Sequence, residues 1–418
     1  MRILYVCHRF PFPPRRGGKI RPFNMIRHLS REHEVTVASI VRSSQEAAEG
    51  RGLAQHCARY EMGRVYDPVQ ALRMVARLPT PAPSSLAYFY SPDLARRVRE
   101  LLASERFDLI FVHCSSAAQY VEHAQGVPKI LDFGDMDSQK WLEYARYKPF
   151  PASIGYRLEA HKLMREERRL ASRFDLCTAT TRAEWETLQS YGTAVTSDWF
   201  PNGVDSDYFA PSSEPYDPDT IAFVGRMDYY PNQQCMFEFC SHTLPRLQAK
   251  RPALKLLIVG ADPPSAVREL QKLPGVTVTG SVPDVRPYLR RSALMVAPLN
   301  IARGTQNKIL EAMAMGVPVV ASRAAAGGVD AVDQEHFLVA SAPEHYGPLI
   351  LRIVEQPQER LRLSQEGRER MLSNHAWDKS MQRLDQLIER CISSFGAISA
   401  PRAADIEAPA PRETASSQ

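Results

Sequence analysis

Two parallel, doubly wound α/β domains joined near residue 205 are the architecture this sequence predicts, and three observations carry the expectation. The chain has 418 residues, too many for one ordinary core when domains run to roughly 100–200 residues. Short apolar β-type runs alternate with helical patterns, and a parallel crossover needs a helix to return the chain. The alternation halts at a Pro-rich stretch ending at Pro218 and then begins again.

Taken in order, Arg2–Cys7 is a first strand, followed by Pro/Gly punctuation from Pro11 to Gly18 and a helical pattern through Leu29. Glu34–Ile40 alternates as a second strand, Phe107–His113 forms a third, Lys129–Phe133 a fourth and Leu176–Ala179 a fifth. The segment from Ile154 to Phe174 is helical. After the turn Pro201-Asn-Gly-Val-Asp205 a second series opens with Ile221–Gly225, Leu254–Gly260, Val276–Thr279, Leu294–Ala297 and Val317–Ala321. Ala376–Ser393 has the pattern of a final amphipathic helix. The expected division is residues 1–203 with a helix at about 376–395, then 204–375, then a solvated Ala/Pro/Ser/Glu-rich tail over 398–418. In such sheets ligands bind outside the carboxyl ends of the strands, so the cleft between the two halves is the expected site.

Composition narrows the function classes. Apolar residues make up 44% and charged residues 24%, as in a soluble globular protein. Seven scattered cysteines form no CxxC pair and suit reduced thiols in the cytoplasm. No apolar run approaches the ~18–20 residues of a membrane span. The net charge of +5 is compatible with anionic small molecules or an acidic membrane surface. Dispersed aromatics, and 52 basic residues balanced by 47 acids, give nucleic-acid binding little support.

The richest segment is Arg303-Gly-Thr-Gln-Asn-Lys-Ile-Leu-Glu311 and its continuation to Ser322. A glycine-containing turn, with Gly304, Thr305 and Asn307, enters a helix whose first N–H groups suit a phosphate, and Lys308 adds a full positive charge. Glu311, a turn further on, can accept from a pair of sugar hydroxyls; an ordinary solvated helix face is the competing reading. Near the amino terminus, Gly17-Gly18 lets backbone approach a phosphate or an acceptor, or is a simple turn.

His113 ends its strand at the cleft edge, as a reactive or a structural histidine. Asp132, Asp135 and Asp137 follow another strand on a loop expected to face the cleft, where they could orient acceptor hydroxyls, act as a base or cap a helix near Ser138. No His/Cys companion at ligand spacing makes them a metal site. The helix Tyr156–Arg173 carries six basic residues beside leucines, and either meets anionic lipid or packs on its domain.

LEAMAMGVPVVAS at Leu310–Ser322, FVGRM at Phe223–Met227 and NGVD at Asn202–Asp205, in this order relative to Gly17-Gly18 and the final helix, resemble glycosyltransferase family four over nearly the whole chain. LDFGDMDSQKW at Leu131–Trp141 and RGTQNKILEAM further resemble sugar transferases of exosortase/PEP-CTERM exopolysaccharide clusters. The resemblance implies a GT-B fold, two Rossmann-like domains facing a central cleft with the last helix crossing back, and sugar transfer with retention from a nucleoside diphosphate sugar to a glycan or lipid-linked acceptor. It implies no cofactor or obligatory metal, and a cytoplasmic site of action, peripheral to the inner membrane face.

By residue, the resemblance gives Glu311 the ribose hydroxyls, Gly225 and Arg226 the donor diphosphate, and His113 a place near the reacting sugar. Two departures stand out. The family's glutamate eight residues before Glu311 is Arg303 here, which could face a carboxylated sugar or make a local ion pair. The lysine six residues after Arg226 is Asn232 here, and Lys308 is expected to restore the missing charge. A nucleotide-sugar epimerase on this fold and a degenerate sugar-nucleotide-binding scaffold are the alternatives.

Overall fold

A computed structural model describes residues 1–15 and 17–399; the remaining residues, 400–418 of the expected tail among them, lie outside the described residues. The first half holds a seven-stranded sheet of β1 (Arg2–Cys7), β2 (Glu34–Val41), β3 (Arg59–Arg64), β4 (Leu109–His113), β5 (Lys129–Gly134), β6 (Leu176–Ala179) and β7 (Ser197–Trp199), in the order β3-β2-β1-β4-β5-β6-β7. The second half holds β8 (Asp217–Val224), β9 (Lys255–Val259), β10 (Val276–Gly280), β11 (Ser292–Ala297), β12 (Val319–Ser322) and β13 (Leu338–Ala340), in the order β10-β9-β8-β11-β12-β13. Neighbouring strands are parallel throughout both sheets.

Both orders reverse direction beside their first strand, at β1/β4 and β8/β11. Those switch points leave a crevice beyond the strands' carboxyl ends. Cys7 and His113 end one pair, Val224 and Ala297 the other. The strands are buried on both faces, β4 and β11 along their full length, because helices cover each side.

β3, β7 and β13 are additions to the expected strands. β3 sits at a sheet edge with mostly polar, partly exposed residues, and β7 and β13 have three residues each, so none shows a buried apolar run. The helix read over Tyr156–Arg173 runs Ala152–Ala171. The last helix, Trp377–Ser399, is longer than its pattern suggested and takes in positions assigned to the tail. Trp377, Met381, Leu384, Leu387 and Ile388 pack into the first domain's core beside Ile3, Tyr5 and Met25. It thus crosses back from the second half.

The crossing is stitched. Val204 pairs with Ala376 in a parallel bridge, and the Val204 amide donates to the His375 carbonyl at 2.7 Å. His375, buried, faces the Asn202 carbonyl through Nδ1 at 3.1 Å and accepts at Nε2 from the Asp330 amide at 3.2 Å. All seven cysteines are unpaired.

Candidate active site

In the second domain the Asn307–Ala314 helix and the end of β8 bring their charges together. The helix closes on Gly316, whose φ of 68° is the left-handed conformation glycine tolerates best. Its first turn carries Lys308, whose Nζ donates to Asn232 Oδ1 at 2.8 Å and lies 4.4 Å from the Phe223 ring centre. A Cβ on Gly225 would come within 2.8 Å of both Lys308 Nζ and Asn232 Nδ2, so this glycine leaves room for the ammonium beside the strand end. Asn232 Nδ2 in turn donates to the Arg226 carbonyl at 2.7 Å. The Arg226 guanidinium pairs with Asp228 at 2.7 Å and Asp262 at 2.5 Å, both exposed partners.

Desolvation pushes Lys308 down to about 8, with Cys235 and Glu311 opposing. Desolvation pushes Glu311 up to about 7, and Lys308 opposes it. These opposite displacements mark a place where charge is withheld from water, and Glu311 lines a cavity there.

Across the cleft, Asp132 is fully buried and takes a bidentate pair from Arg21 at 2.9 and 3.0 Å, a hydrogen bond from Thr178 at 2.9 Å and one from His113 Nδ1 at 2.8 Å. Burial raises this carboxyl, but Arg21 and His113 outweigh it and hold Asp132 well below the usual range. The expectation that Asp132 faces the cleft is therefore corrected: it is a buried counter-charge that fixes the His113 ring. His113 is itself only 6% exposed and sits 5.8 Å behind His8, ring centre to ring centre.

Asp135 does reach the cleft, accepting from Thr180 Oγ1 at 3.0 Å and lining a small space with Lys140, Tyr229, Arg303 and Gln306. Asp137 begins the Asp137–Tyr147 helix, and burial raises it despite Lys140. No aspartate caps that helix. Glu184 accepts from the Met136 amide at 2.7 Å and Glu167 from the Ser138 amide at 2.9 Å.

The halves touch. Arg303 donates to Glu143 at 2.7 Å and lies 3.4 Å from Glu184, both from the first domain, so its ion pairs are long-range rather than local. Tyr144 and Tyr229 join hydroxyls at 3.0 Å, and Asn202 donates to Asn307 at 3.2 Å. A cavity of about 530 Å³ is lined by His8, Arg9, Lys19, Arg42 and Arg226, and an adjoining one of about 260 Å³ by Pro14, Phe23, Asn307, Glu311 and Trp377. Pro13 and Arg15 belong to the first wall and Pro14 to the second, so this turn partitions the cleft. Gly17-Gly18 is not in the turn but opens the following helix, with a Cβ on Gly17 3.9 Å from Asn307 Nδ2.

Two family models match in sequence order: a glycosyl transferase 4-like domain over residues 8–203 and glycosyl transferases group 1 over residues 218–356. This chain belongs to the glycosyltransferases. Sucrose-phosphate synthase from Thermosynechococcus elongatus superposes with a TM-score of 0.69 at 18% identity, covering 94% of this chain and 100% of that one. Anabaena HepE in complex with UDP-glucose gives 0.67 at 15%, covering 93% and 100%. The fold is GT-B. A curated relative, glycosyltransferase 1 domain-containing protein 1 of Xenopus tropicalis, is 26% identical over 146 residues, 33% of this chain and 42% of that protein. The chain thus spans under half the length of that relative.

In this glycosyltransferase Gly225, Arg226, Asn307, Lys308 and Glu311 belong to the second domain's side, with Arg303, Gly304 and Thr305 on the turn leading in. Asp135 lies opposite Gly304, and Asp137 and His113 lie deeper. His8, Glu143, Glu184 and Lys140 were not singled out in the sequence. Glu184 was legible only as a helix-start signal, since Thr181 accepts from its amide in a capping turn. His8 follows a strand with nothing in its neighbourhood to distinguish it. Among the described residues no helix is long and apolar enough to cross a membrane.

Proposed function

We propose that this glycosyltransferase moves a hexosyl group, with retention, from a nucleoside diphosphate sugar to a hydroxyl of a glycan or lipid-linked acceptor in exopolysaccharide assembly at the cytoplasmic membrane face. The reading rests chiefly on one observation: Lys308 Nζ, held by Asn232, lies against the end of β8 one residue from Arg226. An ammonium at a strand end and helix start, with an arginine as the next residue along the strand exit, suits a diphosphate. The position of Lys308 supports the idea that it stands in for the family's missing lysine. Thr305 Oγ1 is buried without a hydrogen-bond partner among the described residues, which suits a ligand oxygen nearby.

In the proposed step the bond from the sugar's anomeric carbon to the phosphate oxygen breaks while the acceptor oxygen bonds to that carbon on the same face. The acceptor proton passes to the departing phosphate. Arg226 and Lys308 neutralise the growing negative charge, a task for which each such donor is typically worth about 3–4 kcal/mol. With that charge supplied by side chains, no cofactor or obligatory metal is assigned. Glu311 would hold the ribose hydroxyls, His113 and Asp135 the acceptor side.

The HepE structures contain UDP and UDP-glucose, which makes uridine sugars the first donors to try. Thermal shift against UDP-, GDP- and ADP-sugars should give one clear stabilisation that Arg226→Ala and Lys308→Ala each abolish. A shift indifferent to both changes would refute the diphosphate site. Donor turnover without acceptor would favour an epimerase, and binding without turnover a scaffold.

A further inference from the structure

The Asp67–Arg77 helix is inside out. Its inward side carries Gln70, only 1% exposed, whose amide donates to the carbonyls of Tyr88 and Tyr90 at 3.0 and 2.8 Å, and Arg73, which donates to Gln70 at 2.8 Å and to Tyr90 at 2.9 Å. Its outward side carries Val69, Leu72 and Val75, and Leu78 follows at its end; Leu72 is 70% exposed and Val75 and Leu78 are 60%. A surface helix of a globular protein normally turns its apolar stripe to the core. Here the polar side is satisfied inside and the apolar side meets solvent.

The patch does not stop at this helix. Lys162 Nζ donates to the Leu78 carbonyl at 2.8 Å, and the Ser85 amide donates to Glu159 at 2.7 Å, which sets the Ala152–Ala171 helix alongside. That helix adds exposed Ile154 and Leu158, and Phe150 just before it is 79% exposed. Between and around these apolar side chains stand Arg157, His161, Lys162 and Arg165, on or near the surface. The nearby acids are occupied: Asp67 pairs with Arg42, Glu159 is turned inward to Ser85, and Glu166 pairs with Arg169. An apolar surface rimmed by cations has the chemistry that suits an anionic bilayer interface, where apolar side chains enter the acyl boundary and Lys and Arg meet the anionic headgroups.

We propose that this two-helix face docks on anionic lipid. It also has a direction: Asp67, at the start of the inverted helix, lines the 530 Å³ cavity of the cleft, and Lys148, two residues before Phe150, lies 3.9 Å over the Tyr230 ring of the second domain. Docking therefore brings the cleft mouth to the membrane surface. This deepens the transferase reading by naming where a lipid-linked acceptor is presented, and it enlarges the expected lipid contact from the basic helix to a surface whose larger apolar share lies on its neighbour.

The full chain is floated with vesicles of phosphatidylcholine alone or with about 30% phosphatidylglycerol, without donor, so the result stands apart from any test of transfer. Wild type should float with the anionic vesicles only. Leu72→Glu with Val75→Glu should reduce binding at least about tenfold, and Arg157→Gln with Arg165→Gln should reduce it and flatten its salt dependence. All four positions are exposed, so unchanged thermal unfolding and an unchanged donor-induced shift are expected of both variants. Failure of wild type to float, or equal flotation of the Leu72/Val75 variant, overturns the proposal. A wild-type dimer in sedimentation that Leu72→Glu with Val75→Glu dissociates also overturns it, since the face would then belong to a second copy.

Discussion

An ammonium kept poor in water is costly unless something anionic joins it, and Lys308 shows how the cost is limited. Asn232 offers it one oxygen at 2.8 Å, Phe223 offers a ring face, and desolvation leaves the amine at about 8. The sign of the pH effect follows. Below that value the protonated amine is ready for a diphosphate; above it the charge is lost. Donor affinity should fall about tenfold for each pH unit above about 8 until binding no longer draws on this proton, and Lys308→Arg should flatten the fall because a guanidinium stays charged. Calorimetric titration between about pH 7 and about pH 9.5 reads this directly, and a flat wild-type profile would remove Lys308 from the phosphate site. Arg226 is engaged differently. Its carboxylate partners are largely exposed, and exposed pairs are worth little, so a phosphate can displace them.

Elements decide which of these residues meet, and the turn Arg303–Thr305 is a close junction between the halves. Gly304 has φ 61°, and a Cβ there would fall 1.8 Å from Asp135 Oδ1 across the cleft. Gly304→Ala must both adopt a left-handed backbone and push the first domain away. A loss of about 1–2 kcal/mol in unfolding free energy is expected from the backbone alone, with weakened contact between Arg303 and Glu143. Equal stability of the variant would show that the turn relaxes freely.

The long buried strands and the Asn307–Ala314 helix were legible because their apolar runs and glycine stop are written locally. Arg303 was not: its partners lie 160 and 119 residues away, and only folding reveals that the residue standing at the family's glutamate position ties the domains together. Asp132 was misjudged for a similar reason. Three clustered aspartates look alike in sequence, yet only this one meets Arg21, which arrives from the Gly17–Leu29 helix.

At the scale of the whole molecule, the chain enters the second domain once and leaves it once, and the departing helix completes the first. Trp377, Met381, Leu384, Leu387, Ile388 and Cys391 are all buried, and losing this helix would return the Met, Leu and Ile side chains to water at roughly 1.5–3 kcal/mol each and uncover the core they seal. A chain ended at residue 376 should therefore be insoluble or molten in its first half, checked by limited proteolysis; a soluble product with intact residues 1–203 would contradict this packing. The two passages between domains also run side by side, Val204 against Ala376, with Gly203 pressed so close to Trp377 that a Cβ would sit 2.6 Å from its Cα. Two adjacent tethers act as one knuckle. They make one pivot, about which any separation of the lobes is least beside His375 and greatest at the edge farthest from it.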